Sequence, residues 1–175
     1  MSSGAGLAEK ELVFGDVERE MGVTRQVLGA LPAEKFGWKP HAKSMSLMQL
    51  GLHVATLPGW LESALAGDEL DFAHAPRPPA KVDTTAELVG IFDKHVAGMR
   101  EAMAKFDMGN WNKMWTMRNG EQVFTAQRRP KVARVWCLNH LVHHRGQLCL
   151  YLRLLNVRVP TVYFNTADDQ EWVFE

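Results

Sequence analysis

The chain has 175 residues, of which 46% are hydrophobic and 23% are charged, a composition that suits one globular domain with its own core. Its 20 basic and 20 acidic residues give a formal net charge of zero. This balance argues against a general nucleic-acid binder, which needs a basic face to neutralise phosphates. The sequence contains neither the apolar core of a signal peptide nor a membrane span, so a cytoplasmic protein without a membrane partner is expected.

The first predicted element is a helix over residues 7–30, which Pro32 closes. Its inward positions recur at helical spacing and comprise Val13, Val17, Met21, Thr24 and Leu28. The following segment, residues 31–43, contains two prolines and one glycine. It is expected to be a loop in which Phe36 and Trp38 turn inward.

A capping box predicts the start of the second helix, because Gln49 follows Ser46 at a distance of three residues. The helix is expected to continue to about Ala66, with a kink at Pro58. One stripe of this helix is predicted to be buried, and its members are Leu50, His53, Leu57 and Trp60.

A proline-rich segment over residues 73–83 is predicted to cross the surface before the third helix. Thr84 and Glu87 form the capping box of that helix, which is expected to end at about Phe106. His95 lies on its apolar stripe and is expected to be a hydrogen-bonded core histidine. His95 could also be an extra metal ligand, or could contact a ligand residue without binding the metal, and these alternatives stay open.

A β-hairpin is predicted within residues 111–127, where Asn119 precedes Gly120. This pair is the strongest short signal for a hairpin, since both central residues of a type I′ turn need positive φ. A two-residue loop at the pair places Trp115 opposite Phe124 in the two strands.

A fourth helix is predicted from about Pro130 to about Leu155, followed by an irregular tail. Cys137 and Cys149 lie on it about 18 Å apart, too far to form a disulfide bond. The sequence therefore predicts an all-α protein: a four-helix bundle with a small β-hairpin inserted before the last helix, in a single domain over residues 1–175. Bundles build metal and cofactor sites from inward side chains of facing helices.

The fourth helix carries three histidines within the apolar segment LNHLVHHRGQLCLYLRLL, residues 138–155. A helix advances about 100° per residue, so His140 and His144 lie about 40° apart on one apolar face. His143 lies about 60° to the other side of His140, near the edge of that face. The zinc-protease motif HExxH is excluded, because Leu141 stands where that motif has Glu.

His53, on the buried stripe of the second helix, could complete a three-imidazole site with His140 and His144. Three protein ligands and one exchangeable position are the pattern of catalytic zinc. The alternative is three core histidines that hydrogen bonds satisfy, and the spacing leaves both interpretations open. Three imidazoles suit a divalent metal, Zn or Ni first, with Fe, Cu and Mn as further candidates.

The chain resembles the DinB/YfiT-like family in several motifs that occur in the same order. The segment NHLVHHRGQ is similar to the His-x-x-x-His-Arg-Gly-Gln segment of that family. VPTVY and TADD follow it, as a VP-x-x-Y turn and an SADE-like tail do in relatives. WKPHAKSMSLMQLGLHVATLPGW resembles the family's second helix with its single metal-binding histidine. The chain departs from the family's pattern in YFNTADD, near the expected mouth of the site, and at His95.

This resemblance implies a four-helix bundle, often dimeric, with a divalent metal bound by His53, His140 and His144. It also implies a catalytic class, because some relatives are transferases or isomerases that use low-molecular-weight thiols. The leading hypothesis is therefore a metal-dependent enzyme acting on a small-molecule substrate, either a thiol-dependent S-transferase or a hydrolase. The alternative is a non-catalytic metal-binding module or a dimeric scaffold.

In the enzyme hypothesis, Gln147 is expected to hydrogen-bond the substrate or a water. The general base is expected to be either the metal-bound group or His143. Arg145 is expected to anchor a neighbouring loop, a neighbouring helix, or Asp168 and Asp169 of the tail. A homodimer is also predicted, because apolar residues of the fourth helix lie away from its histidine face: Leu138, Leu141, Cys149 and Leu152.

Overall fold

The computed structural model describes residues 3–79 and 81–168, which are mostly helical. The longer helices in chain order are α1 (Ser3–Phe14), α2 (Val17–Gly29), α3 (Leu47–Ala66) and α4 (Thr85–Lys105). The last helical run consists of α5 (Arg129–Lys131), a π-helical stretch (Val132–Asn139) and α6 (His140–Leu154). The strands are β1 (Glu69–Asp71), β2 (Met114–Asn119) and β3 (Gln122–Arg128). Short 3-10 turns occupy Ala33–Lys35 and Met108–Asn110.

The predicted single helix over residues 7–30 is wrong, because the helix is interrupted between α1, which ends at Phe14, and α2, which begins at Val17. Gly15 donates its backbone N–H to Glu11 O, and Asp16 occupies the N-cap position of α2. Glycine disfavours a helix interior and aspartate favours an N-cap, so two adjacent poor helix formers end one helix and start another.

Both predicted capping boxes are confirmed. Gln49 N–H donates to Ser46 Oγ at 3.2 Å, and Ser46 N–H donates back to Gln49 Oε1 at 2.9 Å. The same reciprocal pair starts α4, where the backbone of Glu87 donates to Thr84 Oγ1 at 3.1 Å. These bonds satisfy amides that the first turn of a helix leaves without partners, so the starts of both helices are encoded locally.

Four helices enclose the main core, with α3 packing on α4 and α6, and α2 packing on the same two helices. This arrangement places α3 beside α6, the two helices that carry the histidines of the predicted site. The loop after α2 turns its aromatic residues inward as predicted, since Phe36 is buried and Trp38 packs edge-on against Tyr151. Pro58 lies inside α3.

The sheet has three strands in the order β1-β2-β3, with β1 parallel and β3 antiparallel to β2. Strand β1, of three residues in the segment after α3, was not predicted from the sequence. The predicted cross-strand pair is also wrong: Trp115 lies opposite Gln127, and an irregularity between Met117 and Arg118 shifts the register.

The hairpin turn lies one residue later than predicted. Asn119 pairs with Gln122, so Gly120 and Glu121 form the loop, and Gly120 has φ 58°. Asp71, at the end of β1, holds this turn because its carboxylate accepts the Gly120 N–H at 2.9 Å. Positive φ at the first loop position only is the type II′ pattern, which favours glycine there.

No helix in the described parts of the chain is long and apolar enough to cross a bilayer. Cys137 and Cys149 are free thiols, as predicted, and Cys137 is buried. Burial raises the pKa of both thiols, most for Cys137, which keeps them protonated and suits a packing role.

Candidate metal centre

Two neighbouring helices bring His53, His140 and His144 together. His140 and His144 lie one turn apart on α6, and His53 approaches them from α3. His53 Nε2 lies 3.2 Å from His140 Nε2, and His144 Nε2 lies 2.9 Å from the same atom. The possible ligand atoms of the three residues all lie within 4.8 Å of one another. The grouping predicted from the sequence is therefore present in the structure.

All three imidazoles are partly buried, which favours their neutral forms. Burial, and then the proximity of His144 and His140, lowers the pKa of His53 from 6.5 to about 4. Burial likewise lowers the pKa of His140 and of His144. A neutral imidazole offers one nitrogen lone pair, so the cluster is chemically ready to bind a cation at neutral pH.

The Nδ1 atoms of two of these rings already have hydrogen-bond partners. His140 Nδ1 lies 3.3 Å from the Trp136 carbonyl oxygen, and His144 Nδ1 lies 2.6 Å from Gln147 Oε1. Both partners are oxygens that can only accept, so each Nδ1 carries the proton and donates it. In neutral rings the Nε2 atoms of His140 and His144 then hold lone pairs that face each other across 2.9 Å.

Facing lone pairs repel unless a cation lies between them, and the spacing fits a metal ion. Zn–N bonds of 2.0–2.1 Å in a tetrahedral site place the ligand nitrogens about 3.3 Å apart. The distances from His140 Nε2 to the other two Nε2 atoms, 3.2 and 2.9 Å, are close to that value. Among the described residues, this cluster of His53, His140 and His144 is the group whose ligand atoms could hold a metal ion.

A row of aromatic rings leads from the histidines to the hairpin. The Trp60 ring lies 5.3 Å from that of His140 and 5.8 Å from that of His53. Phe72 packs 5.4 Å from Trp60, and Phe124 lies 6.1 Å beyond it. Phe124 is 45% exposed, so the row opens to solvent at its hairpin end. One side of the cluster is therefore apolar.

Of the other residues that the sequence suggested for the site, two contact His144 and one lies outside the cluster. His143 is exposed, with its ring centroid 4.8 Å from that of His144. Gln147 contacts His144 directly, a contact that the sequence analysis did not predict. His95 is half-buried and its ring lies against Gly59 of α3, outside the cluster.

Arg145 anchors a neighbouring helix, which was one of its expected roles. It is 1% exposed, and its guanidinium lies 2.6 Å from the buried Glu20 carboxylate of α2. Tyr163 of the tail joins this pair, accepting from Arg145 and donating to Glu20. The expected contact with Asp168 is wrong, because Asp168 pairs with Arg153 at 2.7 Å. Asp169 lies outside the described residues.

Sequence reasoning missed two features of the site. The aromatic row joins Trp60 of α3 to Phe72 and Phe124, which are distant in sequence and come together only through the sheet. The Trp136 carbonyl is a backbone group, so the amino-acid type at that position could not indicate its contact with His140. The start of the row had been predicted, since Trp60 follows His53 by seven residues, or two helical turns, on the buried stripe of the second helix.

The fold and the cluster define a helical protein with a small sheet and three converging histidines that could hold a metal ion. The chain belongs to the DinB family, whose family model matches residues 4–172. No protein of curated function matches it.

Two solved structures share this fold. A DinB-like protein from Bacillus subtilis is 14% identical, with a TM-score of 0.67, and the match covers 88% of this chain and 99% of that one. A DinB-like protein from Bacillus cereus ATCC 10987 is 18% identical, also with a TM-score of 0.67, and the match covers 86% of this chain and 95% of that one.

Proposed function

We propose that the protein is a metal-dependent enzyme in which His53, His140 and His144 hold one divalent ion. The observation that supports this most strongly is the pair of Nε2 atoms, on His140 and His144, that face each other across 2.9 Å. Each Nδ1 atom lies within hydrogen-bond distance of another oxygen, so with the protons on Nδ1 a cation between the two Nε2 atoms would satisfy both lone pairs. Zinc and nickel are the first candidates for a site of imidazoles, followed by iron, copper and manganese.

When bound, such an ion lowers the pKa of a protic group and so supplies a nucleophile at neutral pH. The residues of the chain position the reactants around it. Trp60 and Phe72 exclude water from one side of the cluster and offer an apolar surface to the substrate. His143, exposed beside His144, is the side chain proposed to act as the general base if the metal-bound group does not.

We propose that the nucleophile is a low-molecular-weight thiol, so that the reaction is an S-transfer: the sulfur bonds to an electrophilic carbon of a small molecule, the leaving group departs with the electron pair of the broken bond, and the thiol proton passes to solvent. The family resemblance supports a thiol, and the apolar row supports a substrate with an apolar group. The hydrolase alternative uses water at the same position. The two reactions differ in a direct way, since only the first requires a thiol to reach the ion.

Metal content tests the site first. We expect the purified parent to bind about one equivalent of zinc or nickel, and His53→Ala, His140→Ala and His144→Ala to bind none, as measured by elemental analysis after dialysis. His143→Ala is the matched control on the same helix and should retain the metal. Metal that remains in all three ligand variants, or that is absent from the parent, would overturn the proposal.

Cobalt substitution tests the reaction class. An added thiol should produce a new sulfur-to-cobalt absorption band in the parent and in His143→Ala, and none in His144→Ala. Cobalt-loaded parent without this band would reject the S-transferase and leave the hydrolase or a non-catalytic metal-binding module.

A further inference from the structure

The contact between Gln147 and His144 is the shortest hydrogen bond of the cluster. Gln147 Oε1 lies 2.6 Å from His144 Nδ1, and both residues are on α6, three positions apart. A neutral imidazole carries its single proton on one nitrogen only. An acceptor held against Nδ1 therefore fixes the proton there and leaves the lone pair on Nε2, the atom that faces His140.

We propose that Gln147 is a positioning residue that selects the Nδ1-protonated tautomer of His144 and holds its Nε2 towards the ion. This inference rests on the proposed metal site and adds a residue to it. The role expected from the sequence, in which Gln147 bonds the substrate or a water, would then fall to its amide N–H groups, because its side-chain oxygen is engaged by the imidazole. Groups that orient a metal-binding histidine in this way typically change metal affinity 10–100-fold.

A backbone group gives His140 the same arrangement. In an α-helix the His140 amide would donate to the carbonyl four residues earlier, at Trp136, but after the π-helical stretch it donates to Cys137 O. The Trp136 carbonyl instead accepts from His140 Nδ1 at 3.3 Å. π-Helical segments are often found at functional sites. Two of the three rings are thus oriented by oxygens on their own helical run, one from the backbone and one from Gln147.

The chemistry of the amide makes the inference testable by substitution. Gln147→Glu keeps an oxygen acceptor at the same distance from the backbone, whereas Gln147→Leu has a similar size and no acceptor. Rotation of the amide by 180° would present an N–H group to Nδ1 and move the imidazole proton to Nε2, where it blocks the ion. Gln26→Leu is the matched control, because Gln26 is an exposed residue of α2, outside the cluster.

The experiment has two readouts. In the metal-free protein, ¹⁵N chemical shifts of the imidazoles, assigned with His144→Ala, should show Nδ1–H for His144 in the parent and in Gln147→Glu, and a mixture of tautomers in Gln147→Leu. Competition with a chelator should show zinc affinity about 10–100-fold weaker in Gln147→Leu than in the parent. Gln26→Leu should bind zinc within a few-fold of the parent, and Gln147→Glu should bind it at least as tightly as the parent, because a carboxylate acceptor makes the imidazole more basic. Urea unfolding of each variant checks that the fold is retained.

The outcomes separate the two proposals. A parent that binds neither zinc nor any of the other candidate divalent ions would overturn the proposed metal site, whatever the tautomer. The role of Gln147 is overturned independently, by a parent in which His144 carries its proton on Nε2, or by Gln147→Leu that binds zinc as tightly as the parent. Weakened binding in both Gln147→Leu and Gln147→Glu would also overturn it, since the glutamate retains the acceptor.

Discussion

The metal-free protein is expected to lose stability as the pH falls from 6.5 to 4, because His53 resists protonation in the folded state. Its pKa is lowered from 6.5 to about 4, mainly by burial. Between these values the unfolded chain binds a proton that the folded protein does not, so the free energy of unfolding decreases as the pH falls. At 1.36 kcal/mol for each unit of pKa, His53 accounts for at most about 3 kcal/mol.

Urea unfolding measures this loss directly. The chelator-treated protein is unfolded at several pH values between 7.5 and 4, and tryptophan fluorescence gives the free energy of unfolding at each. His53 should lower the free energy of unfolding by up to about 1.36 kcal/mol for each pH unit of acidification between pH 6.5 and 4. Above pH 6.5 its effect on the free energy of unfolding should no longer change with pH. The total loss is large beside the 5–15 kcal/mol that stabilises a typical domain.

Two variants separate His53 from the other titrating groups. His53→Asn removes the imidazole, so its free energy of unfolding should fall less steeply than that of the parent between pH 6.5 and 4. His41→Asn changes an exposed loop histidine and should keep the slope of the parent. If the parent and His53→Asn lose stability in parallel, the His53 ring is solvated in the folded protein and the reasoning from burial fails.

Three further predictions concern the fold and the assembly. Glu20→Ala leaves the guanidinium of Arg145 buried without its carboxylate, which should cost about 3–5 kcal/mol in urea unfolding. Glu18→Ala, which breaks an exposed pair with Arg100, should cost no more than about 1 kcal/mol, and equal costs would contradict the burial argument. Gly120→Ala should destabilise the protein by about 1–2 kcal/mol because of the positive φ, whereas Gly22→Ala, in open space within α2, should stabilise it by up to about 1 kcal/mol. Gly120→Ala without any loss would argue against the described turn, and a loss in Gly22→Ala would argue against open space at that position of α2. The homodimer stays a prediction: sedimentation at micromolar concentration should give twice the chain mass of 19.7 kDa, and a monomer alone would refute it.

Features that depend on neighbours in the sequence were predictable. The capping boxes at Ser46 and Thr84 use side chains and amides three residues apart, so the residue types alone define the helix starts. The shared face of His140 and His144 follows from the helical repeat in the same way. The helical pattern placed His53 on a buried stripe and made it the candidate third ligand, and the family resemblance supported this choice, but the stripe alone could not place it beside α6.

The tertiary structure decided the features that join distant segments. The hairpin register depends on β1, where Asp71 accepts the Gly120 N–H and pairs with Arg118, and a strand of three residues has no periodicity to reveal it. The partner of Arg145 was open in the sequence, since its helical position allowed several anchors until α2 brought Glu20 within 2.6 Å. Sequence spacing fixes directions within one helix, whereas contacts between helices depend on how the whole core packs. The three histidines were therefore predictable as candidates, and the packing of α3 on α6 brought their nitrogens together.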